Sequence, residues 1–295
     1  MTAAVIALLA ALCFALSTVT QHRAAGRVAP STGAGSPPLW RLAANPLWLL
    51  GVLAGAAALA LQALALSLGQ LVVVQPLLVT GMLFAIPASV LLERSRPRLD
   101  QWAWAVAVVV GVVVFLTAAH PARGTTLADL GLLAATTSAT GAAGALAVAL
   151  AFGPGRHHRA WLLGLAAGTA FGLTSVLLKQ VVGQLSASPD RLLTSWPGYG
   201  LVVVGLAGVA LAQLSYRAGS LAASQPALTI AEPLVAVLIG SSAFGEQLAA
   251  SPGARMGQLL GSALLAVAVL RLAVLTRATS IPSPSSTTQQ SPETR

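Results

Sequence analysis

Charged residues are scarce in this sequence. Asp, Glu, Lys and Arg make up 8% of the 295 residues, whereas 56% are hydrophobic, and the mean hydropathy is +0.83. A soluble domain carries about 25% charged residues, because water has to solvate its surface. A chain this poor in charge cannot form such a surface. The composition therefore predicts an all-α integral membrane protein whose main partner is the lipid bilayer.

Cysteines and acids are also few. Cys13 is the single cysteine, so no intramolecular disulfide can form, and its apolar surroundings are typical of a packing residue. The acids are scattered along the chain: Glu93, Asp100, Asp129, Asp190, Glu232, Glu246 and Glu293. Catalysis and metal binding need such groups clustered around one cavity. Because no P-loop, Rossmann glycine motif or nucleophile elbow occurs either, we expect neither an enzyme, nor a cofactor, nor a metal centre.

The long apolar runs predict nine transmembrane helices. Each run approaches the ~20 residues that cross a ~30 Å hydrocarbon core. The predicted limits are 2–20, 46–68, 70–92, 102–119, 128–151, 160–183, 198–216, 221–243 and 257–275. The polar segment after them, 278–295, has too little apolar surface to order itself, so we expect a disordered tail.

Positive charge predicts the orientation of these helices. Although the net charge is +9, the Arg residues lie between apolar runs and form no patch, so nucleic acid is not an expected partner. Twelve of the 16 Lys and Arg residues fall on the inner side if the N-terminus is outside. Cytoplasmic loops are enriched in positive charge. The pattern thus predicts a plasma (inner) membrane protein with an outer N-terminus and a cytoplasmic C-terminus.

An internal repeat relates the second and third segments to the seventh and eighth. The matching features are the turn glycines Gly69 and Gly219, the pairs Gln75-Pro76 and Gln225-Pro226, and the terminal acids Glu93 and Glu246. The predicted orientation makes the two copies inverted. The first half is 1–119, with four helices and a polar inner loop at 21–45, and the second half is 128–277, with five helices. Inverted repeats are typical of secondary transporters, which bind solute near the midplane.

At these residues the chain resembles the drug/metabolite transporter superfamily with its EamA-like repeats. The resemblance covers about residues 1–275 and is most specific at "SQPALTIAEPLVAVLIGSSAFGEQL" and "VVVQPLLVTGMLFAIPASVLLER". It implies transport of a small metabolite or xenobiotic. Members of the superfamily have ten helices, whereas here the loop 22–46 stands where a second helix is expected. That departure, together with "AFGLTSVLLKQ" around Lys179, resembles the NIPA branch, which implies magnesium transport as an alternative.

Glu232 is the leading candidate for binding solute or a coupling ion. It lies 11 residues into the eighth segment, which places it ~16 Å deep, near the bilayer centre. Gln225, Thr229 and Glu232 share one helix face. Pro226 and Pro233 flank this face, and each proline frees a carbonyl in a broken or kinked helix, as Pro76 does in the third segment. We therefore expect Glu232 to take up and release a proton during transport.

Lys179 is the second charged candidate. It continues a stripe of Gly164, Gly168, Gly172 and Ser175 along the sixth segment. Near the end of a helix, a lysine either contributes to a site or extends to the membrane surface. Helical rise places Lys179 roughly 13 Å above Glu232, which argues against a direct ion pair unless a helix is kinked. The sequence leaves both roles open.

Further polar and small residues complete the candidate set. Gln62 and Gln213 occupy equivalent positions in the repeat and are expected to be buried. Like Gln75, they are neutral amides within apolar segments, suited to hydrogen bonding either solute or neighbouring helices. Glu93 and Glu246 end their helices and are candidates for interfacial caps, ion pairs or gates. Three glycine motifs predict close helix packing, within one chain or across a homodimer: Gly51-x-x-x-Gly55, Gly164-x-x-x-Gly168-x-x-x-Gly172 and Gly257-x-x-x-Gly261.

The leading hypothesis is a secondary transporter of a small metabolite or xenobiotic that works by alternating access between two inverted halves, with proton coupling through Glu232. The alternative is a NIPA-like pathway for magnesium or another divalent cation. Magnesium prefers several oxygen ligands, and Glu232 is the single acid deep in a predicted helix. The sequence does not identify the solute or the direction of transport.

Overall fold

The computed structural model describes residues 2–27, 44–93, 99–122, 124–153, 158–218 and 221–278. Its α-helices are α1 Thr2–Arg27, α2 Pro46–Leu68, α3 Leu71–Val79, α4 Gly81–Glu93, α5 Leu99–Ala119, α6 Leu130–Ala151, α7 Arg159–Ala187, α8 Trp196–Ala218, α9 Leu221–Ala243 and α10 Pro252–Ala278. Among the described residues, β-structure is limited to an isolated bridge between Ala122 and Gln247. Nine helical spans in this part of the chain are long and apolar enough to cross a membrane, α3 and α4 together providing one. The prediction of an all-α membrane protein is confirmed.

The predicted first and third segments differ most clearly from the structure. The first helix continues to Arg27 rather than ending near residue 20. The third segment is divided at Thr80. The Thr80 N–H donates to the Leu77 carbonyl, three residues earlier, at 3.1 Å, which makes a tighter turn than that of an α-helix. Pro76 and Pro87 each remove a backbone donor from this span. Of the loop predicted at 21–45, residues 28–43 lie outside the described residues, as does the predicted tail beyond Ala278.

Local sequence determines where several helices begin. The Asn45 side chain accepts a 2.9 Å hydrogen bond from the N–H of Leu47, and Pro46 occupies the first helical position of α2. Asp129 does the same for Leu132 at the start of α6, again at 2.9 Å. Both are N-cap residues that satisfy an otherwise unpaired helical donor. The Asp129 cap holds the start of α6 beside the preceding loop, which the functional site uses.

The helices pack in matching sets. In the first half, α1 packs along α2 and against α3 and α4. In the second half, α7 packs along α8 and along α9. The last helix of the first half, α5, packs along the last helix of the second half, α10, and α3 contacts α9. Because Glu246, three residues after the end of α9, contacts the start of α3, α3 and α9 run in opposite directions, as the inverted repeat requires.

This packing identifies α6 as the helix without a counterpart. By its neighbours α1 corresponds to α7, and the two share sequence, "FALSTV" at 14–19 and "FGLTSV" at 171–176. The first half therefore lacks an equivalent of α6 rather than the second helix that we expected to be missing. The reason is parity: a repeat of four spans returns the chain to its starting side, so an added fifth span is needed to invert the next copy.

The glycine motifs serve contacts within the chain. A Cβ atom on Gly168 would lie 2.8 Å from the Ala231 side chain, and one on Gly172 would lie 2.7 Å from the Glu232 carbonyl oxygen, so α7 and α9 touch along their backbones. Gly261 contacts Phe115 of α5, and Gly55 contacts Ser17 of α1 in the same way. These faces are thus occupied in the monomer, and the contacts resolve the choice that the sequence left open.

The largest hydrophobic cluster lies toward one end of the bundle, which we name the Lys179 end. This end comprises the end of α2, the start of α3, the ends of α7 and α9, and the loops 120–129 and 244–251. The cluster includes Leu66, Leu71, Val176, Ile239 and Phe244, all nearly inaccessible. Toward the opposite end, by contrast, the part of α4 whose burial is described is mostly half-buried.

Candidate functional site

A buried ion pair lies at the centre of the Lys179 end. The Lys179 ammonium, near the end of α7, donates to Oε1 of Glu246, which lies in the loop after α9. Lys179 is 5% exposed and Glu246 is 1% exposed. The same carboxylate accepts hydrogen bonds from the first two N–H groups of α3, those of Leu71 at 2.8 Å and Val72 at 2.9 Å. One carboxylate therefore joins α3, α7 and the end of α9.

Local geometry places the Glu246 carboxylate over the start of α3. Gly245 turns the chain with a φ of +63°, which L-residues other than glycine rarely adopt. The Glu246 N–H then bonds back to the Gly240 carbonyl at 3.0 Å. A Cβ atom on Gly240 would lie 2.8 Å from Oε2 of Glu246. Lys179 also lies 4.6 Å from the centre of the Phe244 ring, which adds a cation–π contact.

Two loops are hydrogen-bonded together above the ion pair. The N–H of Ala122 donates to Gln247 at 2.9 Å, and that of Thr125 donates to Phe244 at 2.8 Å. On α7, the Gln180 side chain accepts from the N–H of Ala128 at 2.9 Å. These bonds connect 120–129 to both α7 and the loop after α9. The Lys179 end is therefore sealed, apart from a cavity of about 150 Å³ that Lys179 lines with Leu66, Ser67, Thr126, Gly183 and Ser186.

Buried amides lie one helical turn farther into the bundle. Gln62 of α2 donates to the Ser175 hydroxyl of α7 at 3.0 Å, and both residues are buried. Gln75 of α3 is 1% exposed, and its amide nitrogen has no hydrogen-bond partner in the described part of the chain. Such a donor is costly to bury. Gln75 is therefore the interior group with an unused capacity to bind a polar solute.

The polar face of α9 begins deeper still and runs toward the opposite end. Gln225, Thr229 and Glu232 are all half-buried, and none is enclosed as the ion pair is. Gln225 accepts a 3.0 Å hydrogen bond from the Tyr216 hydroxyl of α8. The side chains of Thr229 and Glu232 make no hydrogen bond to any residue the structure describes. A carboxylate and a hydroxyl therefore share one helix face with their bonding capacity free.

Lys179 and Glu232 do not form a pair. Eleven residues separate Glu232 from Ala243 at the end of α9, a distance of ~16 Å along the helix, and Lys179 uses Glu246 instead. Lys179 is buried and does not extend to the membrane surface. α9 runs unbroken through Pro226 and Pro233. The predicted helix break occurs in the repeat-related span, at Thr80.

The predicted burial of Gln213 is wrong. We expected it to be buried as the counterpart of Gln62, but it is exposed, on the same α8 face as Leu206 and Val209. α8 instead packs on α7 through Gly205, Gly208 and nearby small residues, because these allow close approach. The side chain of Glu93 and the turn residue Gly219 lie outside the described residues.

Several residues of the site were missed from sequence. Ser175 was noted as part of a glycine stripe and not as a hydrogen-bond partner of Gln62. Gln180, Tyr216 and Phe244 were not singled out at all. Gln180 follows Lys179 directly and is polar in an apolar helix, which is a usable signal. Phe244 carries no such signal, because an aromatic residue does not stand out in a hydrophobic sequence. Its role becomes visible only from its contacts in the structure.

The described residues contain no group of three or more His, Cys, Asp and Glu side chains close enough to hold a metal ion together. Within this part of the chain Glu232 is the acid nearest to the middle of a span. The donor set along the polar face of α9 is one carboxylate, one hydroxyl and one amide. Such a set suits hydrogen bonding to a polar organic solute or transfer of a proton.

Comparison with known proteins gives one relative in Corynebacterium glutamicum, which carries the name "uncharacterized protein". The two chains are 33% identical over 250 residues, a region that covers 83% of this chain and 85% of the relative. No family model matches the sequence. No solved structure matches it either.

Proposed function

We propose that this chain, which belongs to the same family as the Corynebacterium glutamicum protein, is a secondary transporter of a small organic solute. It works by alternating access across the plasma membrane. The observation that carries the proposal is an asymmetry between the two ends of the bundle. The Lys179 end is sealed by buried side chains and paired loops, whereas the polar face of α9 remains half-exposed below it.

The inverted repeat supports this mechanism. Two sets of four membrane spans with matching packing and opposite direction can exchange their conformations, and the exchange moves the opening from one side of the membrane to the other. Because α5 pairs with α10 and α3 contacts α9, the two sets meet along the middle of the molecule. The resemblance to the drug/metabolite transporter superfamily supports the same conclusion. In this scheme the Lys179 end faces outward and acts as the outer gate.

The polar face of α9 is the proposed binding site. Gln225, Thr229 and Glu232 offer an acceptor, a hydroxyl and a carboxylate on one face, and Glu232 is the proton carrier in our scheme. Gln75 of α3 adds a buried amide donor that has no partner among the described residues. Binding a polar solute would offset the cost of leaving these groups unpaired. An organic solute with hydrogen-bonding groups is therefore favoured over a bare divalent cation.

The test compares cells that overproduce the wild-type chain, Glu232→Gln, Gln213→Ala or no chain. Metabolites and metals are measured in cells and medium by mass spectrometry. We expect one organic solute to redistribute with wild type and with Gln213→Ala, whose exposed amide is the matched control, and not with Glu232→Gln. The solute is then confirmed with purified protein in liposomes.

A shift in magnesium alone would replace this proposal with the NIPA-like alternative. Equal redistribution by wild type and Glu232→Gln would remove Glu232 from the mechanism. If no solute moved in cells and none of the cell-extract fractions moved in liposomes, the transporter proposal itself would be wrong.

A further inference from the structure

A long apolar groove runs between α9 and the pair formed by α5 and α10. Its volume is about 400 Å³, and its wall residues come from all three helices. Pro233, Leu234 and Val237 line it from α9, and Phe115 lines it from α5. The groove is distinct from the proposed solute site, because these α9 residues lie on a different side of the helix from Gln225 and Thr229.

The groove opens to the surroundings of the bundle. Leu234 on one rim is 58% exposed, and Leu259 on the other is 66% exposed. Its inner part ends near Leu265, which packs with Val79, Val108 and Ala268 in a separate small cluster. In a membrane-spanning bundle, an apolar groove with this opening faces lipid. Its occupant must therefore be apolar over most of its length and enter from the bilayer.

The length of the groove corresponds to one leaflet. Its lining extends along α10 from Arg255 in the first turn to Leu265 and Ala266. Ten to eleven residues of helix span ~16 Å, which is close to half of a ~30 Å hydrocarbon core. The deep end, at Pro76 and Pro233, then lies near the bilayer midplane. An acyl chain has the polarity and the length to fill this space.

One positive charge stands at the surface end. Arg255 lines the groove, is exposed, and has no ion pair or hydrogen bond from its side chain to the rest of the described chain. The other polar group there, Gln258, is already used, since its amide donates to Ala249 at 2.8 Å. A free guanidinium at the depth of the lipid headgroups attracts a phosphate, and it favours anionic over zwitterionic lipid.

We propose that this groove is a binding site for one phospholipid, with an acyl chain between α9 and the α5–α10 pair and an anionic headgroup at Arg255. The bound chain lies on the lipid side of the bundle, in contact with α9 and α10 of the second half and with α5 of the first. The proposal does not depend on which solute is transported, nor on whether transport occurs.

The test measures how many phospholipid molecules remain bound to the purified protein. Protein is reconstituted in vesicles of equal parts phosphatidylglycerol and phosphatidylcholine, extracted in mild detergent and analysed by native mass spectrometry. We expect one phospholipid per chain, with phosphatidylglycerol favoured about fivefold, the contribution of one arginine near the surface. Val237→Trp fills the groove and should lower lipid retention by about tenfold or more, the loss of two or more buried methylenes. Leu206→Trp, on the exposed face of α8, should change neither quantity.

A second variant tests the headgroup contact separately from the acyl-chain contact. Arg255→Gln should keep the bound lipid but lose the preference for phosphatidylglycerol. Equal retention in Val237→Trp and wild type, with both folded as judged by Tm, would overturn the site. An unchanged lipid preference in Arg255→Gln would overturn the headgroup contact. Retention of a non-lipid amphiphile in place of phospholipid would overturn the assignment of the occupant. None of these outcomes bears on the redistribution assay, so this proposal and the transporter proposal fail separately.

Discussion

Lys179 and Glu246 lie 67 residues apart in sequence and form a buried ion pair whose carboxylate also caps α3. Each partner belongs to an element of the second half, and α3 belongs to the first. The pair thus joins the two halves at one end through charge-assisted hydrogen bonds from α3 and α7 to one carboxylate. Separating the halves requires Glu246 to leave both the ammonium and the α3 amides. In the proposed transport scheme, opening this end breaks both sets of contacts together.

Removing one partner of this pair should be more harmful than removing both. Lys179→Met leaves the Glu246 carboxylate buried without its cation, a change that costs about 3–5 kcal/mol for a buried pair. The double variant Lys179→Met/Glu246→Gln leaves no uncompensated charge and should recover part of the loss. Thermal unfolding of the purified chain in one detergent measures this. Strictly additive losses in the double variant would mean that the two side chains do not interact.

Loss of the gate should open the Lys179 end. In a Cys13→Ser background, Ser175→Cys places a thiol one turn below the ion pair, at a position that is 3% exposed. Glu246→Ala should raise the rate at which a membrane-impermeant maleimide labels this thiol from outside. Thr229→Cys, on the half-exposed face of α9, should react from the cytoplasmic side before any gate mutation. If Ser175→Cys stays unlabelled after Glu246→Ala, the ion pair is not the gate. Labelling from the cytoplasmic side alone would reverse the predicted orientation.

Two buried glutamines should respond oppositely to the same substitution. Gln75 has an amide nitrogen without a partner, so Gln75→Leu removes an unsatisfied donor and should leave Tm unchanged or higher while transport falls. Gln62→Leu is the matched control, since it breaks the bond to Ser175 and leaves that hydroxyl buried alone. It should destabilise the chain by about 1–3 kcal/mol. A Gln75→Leu chain that is as destabilised as Gln62→Leu would show that Gln75 is a packing residue.

Glycine contacts between α7 and α9 should tolerate no added methyl group. A Cβ atom on Gly168 would lie 2.9 Å from Cα of Leu228, a backbone atom that cannot turn aside. Gly168→Ala should therefore destabilise the chain by about 1–3 kcal/mol through overpacking. Gly253→Ala, where a Cβ atom meets nothing within 4 Å, should be close to neutral. Equal Tm values for the two variants would contradict the close α7–α9 contact.

Much of the fold follows from local properties of the sequence. The apolar runs are long enough to span a bilayer and carry almost no charge, so each of the nine predicted segments has to be a membrane helix for its backbone groups to be satisfied. The inverted repeat could likewise be recognised from the pairs Gln75-Pro76 and Gln225-Pro226. Glu232 could be chosen because an acid so far inside an apolar run is expensive.

The hydrogen-bond and ion-pair partners of polar side chains could not be predicted from the sequence in the same way. The sequence does not decide between the two roles of Lys179, because its pairing depends on where the loop after α9 returns. It also does not predict the exposure of Gln213, because the repeat does not show which face of α8 is covered. The break at Thr80 could not be predicted from prolines alone, since α9 also carries two prolines and continues unbroken.

The sequence alone determined that the chain spans a membrane, how many times, and that its halves are related. Hydrophobic length and helical periodicity act over a few turns and are written in consecutive residues. Only the tertiary structure decided that Lys179 pairs with Glu246, that Gln75 remains without a partner, and that α6 is the helix outside the repeat. Those outcomes depend on contacts between segments far apart in the chain, and in a nearly uniform apolar sequence many such contacts have similar composition. Close packing and the pairing of buried polar groups select one of them.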